Sequence, residues 1–193
     1  MSADAGYLAL IDRLTTLRPP VFVFGGYAED ALLAGRTTRP HDDVDVLVRK
    51  VDLAEHVERF AEWGFASFEI YFEVVPGSPL VYHAASDGIE LELGVYDELV
   101  PGRPSFVLPA DGQLTRVTLS SDSFAHPLGR IDGVSIRTLS PLALYQMRAA
   151  VMRTGVFGPP RPKDEAAQAK LRTSLLARLG ADELEPEFGP YPP

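Results

Sequence analysis

The apolar positions change period along the chain, and the changes divide it into elements. Leu8, Leu10, Ile11 and Leu14 recur at helical spacing over residues 7–17, and Pro19-Pro20 ends the run, so the pattern predicts an opening helix. Val21, Phe22, Val23 and Phe24 then form an unbroken apolar run closed by Gly25-Gly26, the signature of a strand covered on both faces. A short helix over residues 28–33 follows, with Gly35 just past its end, and residues 44–48 make a second apolar strand. Asp52 with Glu55 three residues on reads as a capping box for a helix that Gly64 closes.

From residue 65 the period becomes two. Phe68, Ile70, Phe72 and Val74 alternate with polar neighbours, and residues 81–84 and 89–95 flank a turn at Ser86-Asp87-Gly88, which predicts antiparallel pairing. Residues 114–119 are a further strand, and residues 129–138 a hairpin around Asp132-Gly133. Ser140-Pro141 is an N-cap and first-turn pair opening a helix to about Met152. A proline-rich loop, 158–162, leads into a last helix over residues 164–179, with Asp164 as its cap. The tail, 181–193, mixes acids with prolines and is expected to be poorly ordered. The expected organisation is α+β: a core over residues 1–138, a helical element over 139–180 packed on it, and the tail.

Composition narrows the chemistry. The 193 residues are 46% hydrophobic and contain no cysteine, which excludes cysteine nucleophiles, thiolate zinc sites and iron–sulfur clusters. Eighteen Lys and Arg stand against 27 Asp and Glu, a net charge of -9 that disfavours broad contact with a phosphate backbone. It suits either solubility or a cationic small molecule. No stretch approaches 18 consecutive apolar residues, and the N-terminus lacks a basic lead with an apolar run, so a cytoplasmic protein without a membrane partner is expected.

The informative stretch runs from Phe24 to Val48. With a period of two, Asp43 and Asp45 face one way while Val44 and Val46 face the other, so both carboxylates can share one Mg²⁺. Two anions that close repel unless a cation joins them, and Arg49 and Lys50 lie at the far end of the strand. A solvated strand edge is the competing reading of this Asp-x-Asp triplet. Gly25-Gly26 at a strand end, leading into a helix, offers a close approach and a favourable dipole to a phosphate. The same alternation in Ile89-Glu90-Leu91-Glu92-Leu93 puts two more acids on one strand face.

Taken together, Gly25, Gly26, Asp30, Gly35, Arg36, Thr38, Arg39, His41, Asp42, Asp43 and Asp45 resemble the nucleotidyltransferase superfamily. The resemblance is closer still to the aminoglycoside 2''-adenylyltransferases and lincosamide nucleotidyltransferases. It implies a mixed β-sheet flanked by helices with a small helical C-terminal cap. It also implies transfer of a nucleoside monophosphate, AMP from ATP or the like from another nucleoside triphosphate, to a hydroxyl of a small acceptor, a cationic aminoglycoside or a lincosamide, with release of pyrophosphate. Asp43 and Asp45 would bind one or two Mg²⁺, and Glu90, with Glu92 as second choice, would supply the general base or a further metal ligand. Gly25, Gly26, Arg39 and His41 would line the nucleotide site, where His41 could orient Asp43; an exposed turn histidine is the alternative. Arg148, eight positions after Ser140, stands where the family has a lysine that reaches the phosphates, and Lys163 matches a family Lys-Asp pair. Two alternatives accompany this reading: a toxin-type enzyme acting on tRNA or protein, which the acidity opposes for tRNA, and a nucleotide-binding member without turnover. Residues 100–136 carry least of the resemblance, and a substrate would be chosen there.

Overall fold

The computed structural model describes residues 3–177, 179 and 183–191. They form two compact units, one made of Met1–Asp97 with Pro127–Leu139, the other of Glu98–His126 with Ser140–Pro193. Residues 98–126 therefore belong with the C-terminal helices, not with the core expected over residues 1–138. Among the described residues no helix is long and apolar enough to cross a membrane.

The first unit opens with α1 (Ala3–Leu14), whose Tyr7, Leu10, Ile11 and Leu14 form one buried stripe. After the break at Pro19-Pro20 comes β1 (Phe22–Phe24), then α2 (Gly25–Leu33), then β2 (Val44–Arg49). A single 3-10 turn, Lys50–Asp52, leads into α3 (Leu53–Glu62). Asp52 does not cap that helix. Its backbone is already in the right-handed helical region, and its carboxylate accepts from Arg49 Nε at 2.7 Å. Then follow β3 (Glu69–Val75), β4 (Ser78–Ser86) and β5 (Ile89–Val100). A small hairpin, β8 (Gly129–Ile131) with β9 (Val134–Ile136), completes the unit.

The strand order is β3-β4-β5-β2-β1. The central pair, β2 and β5, is parallel, with Val44 beside Leu91 and Asp45 beside Glu92, and every other neighbour is antiparallel. Such a mixed sheet follows from the connections: two-residue turns make the hairpins, while joining parallel neighbours takes a long crossover, here through α3 and the β3–β4 hairpin. One face of the central pair is Val44, Val46, Val48 with Leu91, Leu93, Val95, all at most 6% exposed. Each contributes roughly 1.5–3 kcal/mol by burial, so this apolar face settles which way every carboxylate between them must point.

Strand β3 differs from expectation. It pairs with β4, its register shifts between Ile70 and Val75, and Ile70 and Tyr71 are exposed, while Phe72 and Val74 are half-buried, so its alternation covers the core only in part.

The second unit holds β6 (Arg103–Ala110) and β7 (Gln113–Thr118), joined by a tight turn at Asp111-Gly112 with both residues at positive φ. Pro104 and Pro109 hide β6 in the sequence, because proline interrupts a strand pattern. Helix α4 (Pro141–Thr154) starts as its sequence dictates: the Ser140 hydroxyl accepts from the Ala143 amide at 3.1 Å, and Gly155 closes the helix in the left-handed region. Helix α5 (Pro162–Leu176) begins two residues before Asp164, with Pro162 in its first turn. In the tail, β10 (Glu187–Pro190) pairs antiparallel with β7. Those four residues are a strand where a poorly ordered end was expected, because the free edge of β7 supplies the partner. Residues 181, 182, 192 and 193 of that expectation lie outside the described residues.

Candidate active site

The carboxylates lie on the face of the central strand pair opposite its apolar layer. Asp45 and Glu92 are register partners in the parallel ladder, and one step before Val44 beside Leu91 brings Asp43 to the level of Glu90. Beyond Glu92 the same row continues to His83 on β4 and Glu69 on β3. Asp43, Asp45 and Glu92 are half-buried. The Glu90 side chain is 54% exposed, with one carboxylate oxygen 3.5 Å from His83 Nε2. The sheet thus brings all four proposed acids to one face.

Both glycines are required by this arrangement. Gly25, the first residue of α2, has φ +64°, and a Cβ there would lie 1.8 Å from Asp45 Oδ2. The carboxylate of Asp45 therefore rests against the N-terminus of α2, whose first turn carries no acid. A Cβ on Gly26 would lie 2.3 Å from His41 Nδ1 and 3.0 Å from Arg39 Nη2, so both side chains cross this part of the backbone.

His41 is buried, not an exposed turn histidine, and its partner is Asp30 at 2.9 Å from Nε2. The Asp30 carboxylate also accepts from the Thr38 amide at 2.7 Å and the Thr38 hydroxyl at 2.5 Å. Burial alone would raise the pKa of Asp30; the bonds from Thr38 and His41 outweigh it and hold the carboxyl below its usual range. A second tie fixes the same loop, where Asp132 accepts from the Thr37 amide at 2.9 Å and hydroxyl at 2.6 Å. Residues 36–43 are thus held at several points before the chain enters β2 with Asp43.

Sequence reasoning missed Tyr7. Its hydroxyl donates to the Asp42 carbonyl and accepts from the Glu90 amide at 3.4 Å. Its ring lies 5.9 Å from that of Tyr27, which is 4.3 Å from the His41 ring. The only signal was a hydroxyl-bearing aromatic on the apolar stripe of the first helix, where buried tyrosines ordinarily find a polar partner.

Arg148 and Lys163 lie in the second unit. The Arg148 side chain is 17% exposed and donates to Asp164 Oδ1 at 3.1 Å. Burial alone would raise the pKa of Asp164; the hydrogen bonds and charge of Arg161, with the charge of Arg148, outweigh it and hold it at about 2. Asp164 also accepts from the Arg161 amide, which makes it the third-position cap of α5. Lys163 is exposed in the first turn of that helix.

Asp43, Asp45, Glu90 and Glu92 offer hard oxygen donors, the set Mg²⁺ prefers. Among the described residues no three carboxylate or imidazole groups gather into a metal cage. Mg²⁺ at nucleotide sites is commonly held by one or two carboxylates together with substrate phosphates, and Asp43, just before β2, with Asp45 on it fits that mode.

A mixed α+β sheet whose parallel pair presents carboxylates beside a glycine-led helix N-terminus is the arrangement of a nucleotidyltransferase. A model of the aminoglycoside-2''-adenylyltransferase family matches residues 7–148. The chain belongs to that family and is an enzyme of the nucleotidyltransferase class. Among solved structures it is similar to the solution structure of the antibiotic-resistance factor ANT(2'')-Ia: TM-score 0.62, 21% identity, 95% of this chain and 89% of that one. It is equally similar to the crystal structure of ANT(2'')-Ia with adenylyl-2''-tobramycin: TM-score 0.62, 20% identity, 95% of this chain and 93% of that one. These likenesses show the fold. No sequence among curated proteins matches the chain.

Proposed function

We propose that this protein transfers AMP from ATP to the 2''-hydroxyl of an aminoglycoside, releasing pyrophosphate. The observation that carries the reading is the row of acids on β2 and β5 beside Gly25 and Gly26, in a chain of this family. Asp43 and Asp45 would hold Mg²⁺ together with phosphate oxygens of the nucleotide. When bound, the ion neutralises the triphosphate and stabilises charge developing at the α-phosphorus. Gly25, Gly26 and the first turn of α2 receive phosphate, and Arg39, beside Gly26, adds a cation at that edge.

Glu90 is the proposed base. It lies level with Asp43 and its carboxylate is open to solvent, so it can accept the proton of an acceptor hydroxyl arriving from outside. The hydroxyl oxygen then bonds to the α-phosphorus as the bond to the bridging oxygen breaks, and pyrophosphate carries away the displaced electron pair. Glu92, nearer Asp45, is the second choice for the base. A polyammonium acceptor suits the acid row that continues to Glu69.

The test is pyrophosphate release with Mg²⁺, each of ATP, GTP, CTP and UTP, and a panel of aminoglycosides, alongside thermal shift with each nucleotide. Turnover with ATP, lost in Asp43→Asn/Asp45→Asn together with the Mg²⁺-dependent shift, supports the reading. No turnover and no shift with any pair refutes it.

A further inference from the structure

Residues 36–43 carry Asp43 but have no regular secondary structure of their own, so the position of that carboxylate depends on what holds the loop. At its middle the loop is tied through Thr38 and His41 to Asp30. At its end, one residue before Asp43, it is tied by Tyr7, which comes from α1 and simultaneously receives the amide of Glu90. A single phenol therefore spans the gap between the loop that ends in Asp43 and Glu90, the second residue of β5.

We propose that Tyr7 is a positioning residue of the transfer site, setting the separation between Asp43 and Glu90 through its paired bonds to Asp42 and Glu90. The inference rests on the transfer reading above, in which Asp43 binds the nucleotide's metal and Glu90 is the base. Tyr7 is 4% exposed, its ring lies 5.9 Å from that of Tyr27, and its hydroxyl is held between the Asp42 carbonyl and the Glu90 amide. Among the described residues the other buried positions of α1 are Leu10, Ile11 and Leu14, all apolar. A shift of about 1 Å between catalytic groups can cost on the order of a hundredfold in rate.

The experiment compares wild type, Tyr7→Phe and Asp43→Asn by steady-state kinetics with ATP and an aminoglycoside acceptor, and by amide hydrogen exchange without nucleotide. Tyr7→Phe keeps the ring and its packing and removes only the hydroxyl. The expected result is kcat reduced at least tenfold with KM for ATP within twofold, and faster exchange confined to the Glu90 amide and residues 42–44. A general loss of packing would move KM and exchange throughout the unit instead, and would overturn the inference. So would a Tyr7→Phe enzyme with wild-type kcat while Asp43→Asn is inactive, which would leave the transfer reading standing. Wild type inactive with every nucleotide and acceptor would overturn the transfer reading, and with it the catalytic consequence of Tyr7.

Discussion

Replacing Asp30 by alanine removes the acceptor of three hydrogen bonds at once: the Thr38 amide, the Thr38 hydroxyl and His41 Nε2. Thr38 is exposed, so water can take over its two bonds at small cost. His41 is 8% exposed and has no such recourse. A buried group that loses a charged partner costs about 1–3 kcal/mol, and the loosened loop adds to it, so the expected loss is ~2–4 kcal/mol. For a chain of this size 1 kcal/mol moves Tm by about 2–4 °C, which places the drop at about 5–15 °C. The pH dependence supplies a second check. The folded pKa of Asp30 is depressed, so its contribution is complete above the ordinary value of 3.8 and disappears as the pH falls through the lower, folded value. The assay is thermal unfolding of wild type, Asp30→Ala, His41→Ala and the double variant at neutral pH and down to the acid limit. A coupling energy of ~1–2 kcal/mol between Asp30 and His41 is expected at neutral pH. Additive losses, or an Asp30→Ala variant within 1 °C of wild type, would refute the claim that this knot holds the loop.

Other outcomes follow from the same geometry. Gly25→Ala should abolish turnover and lower Tm far more than Gly35→Ala: the two share a φ near +65°, but only the first meets a neighbour, Asp45, within 4 Å, and equal losses would show that backbone strain alone decides. His56 is buried with Nε2 unpartnered, and its pKa is lowered chiefly by burial. Its neutral form favours the fold, so stability should be full above 6.5, the ordinary histidine value, and fall as the pH drops below it; His56→Leu should flatten that slope in pH-dependent melting. The Asp164 contribution should be present above 3.8 and lost toward about pH 2; Asp164→Ala should remove that acid transition, and Arg161→Ala, which takes away the side-chain hydrogen bonds and charge that chiefly hold the carboxyl down, should weaken it, as read by circular dichroism.

Much of the site could be read along one dimension, for a definite reason. Asp43, Asp45, Glu90 and Glu92 alternate with Val44, Val46, Leu91 and Leu93, and burial of the apolar set forces the acids to the opposite face whatever the strands' partners. The turn chemistry was equally local: Asp87-Gly88 and Asp132-Gly133 adopt positive φ, and Ser140-Pro141 starts α4, because each depends only on residues within a few positions. Asp52 misled because an equally near competitor, Arg49, took its carboxylate.

What the order of residues could not disclose are pairings between distant segments. Strand β10 exists because β7 leaves an edge for it, 69 positions from Glu187 back to Thr118 in the register, and no local propensity in an acid- and proline-rich tail announces that. The parallel register that sets Asp45 beside Glu92, the His41 bond to Asp30 in place of Asp43, and the bridge from Tyr7 across 83 positions to Glu90 are likewise tertiary. The alternation of polar and apolar residues determined which face each acid occupies; only the packing of α1, α2 and the central strands decided how far apart those acids stand, because separation is set by groups that meet across the fold.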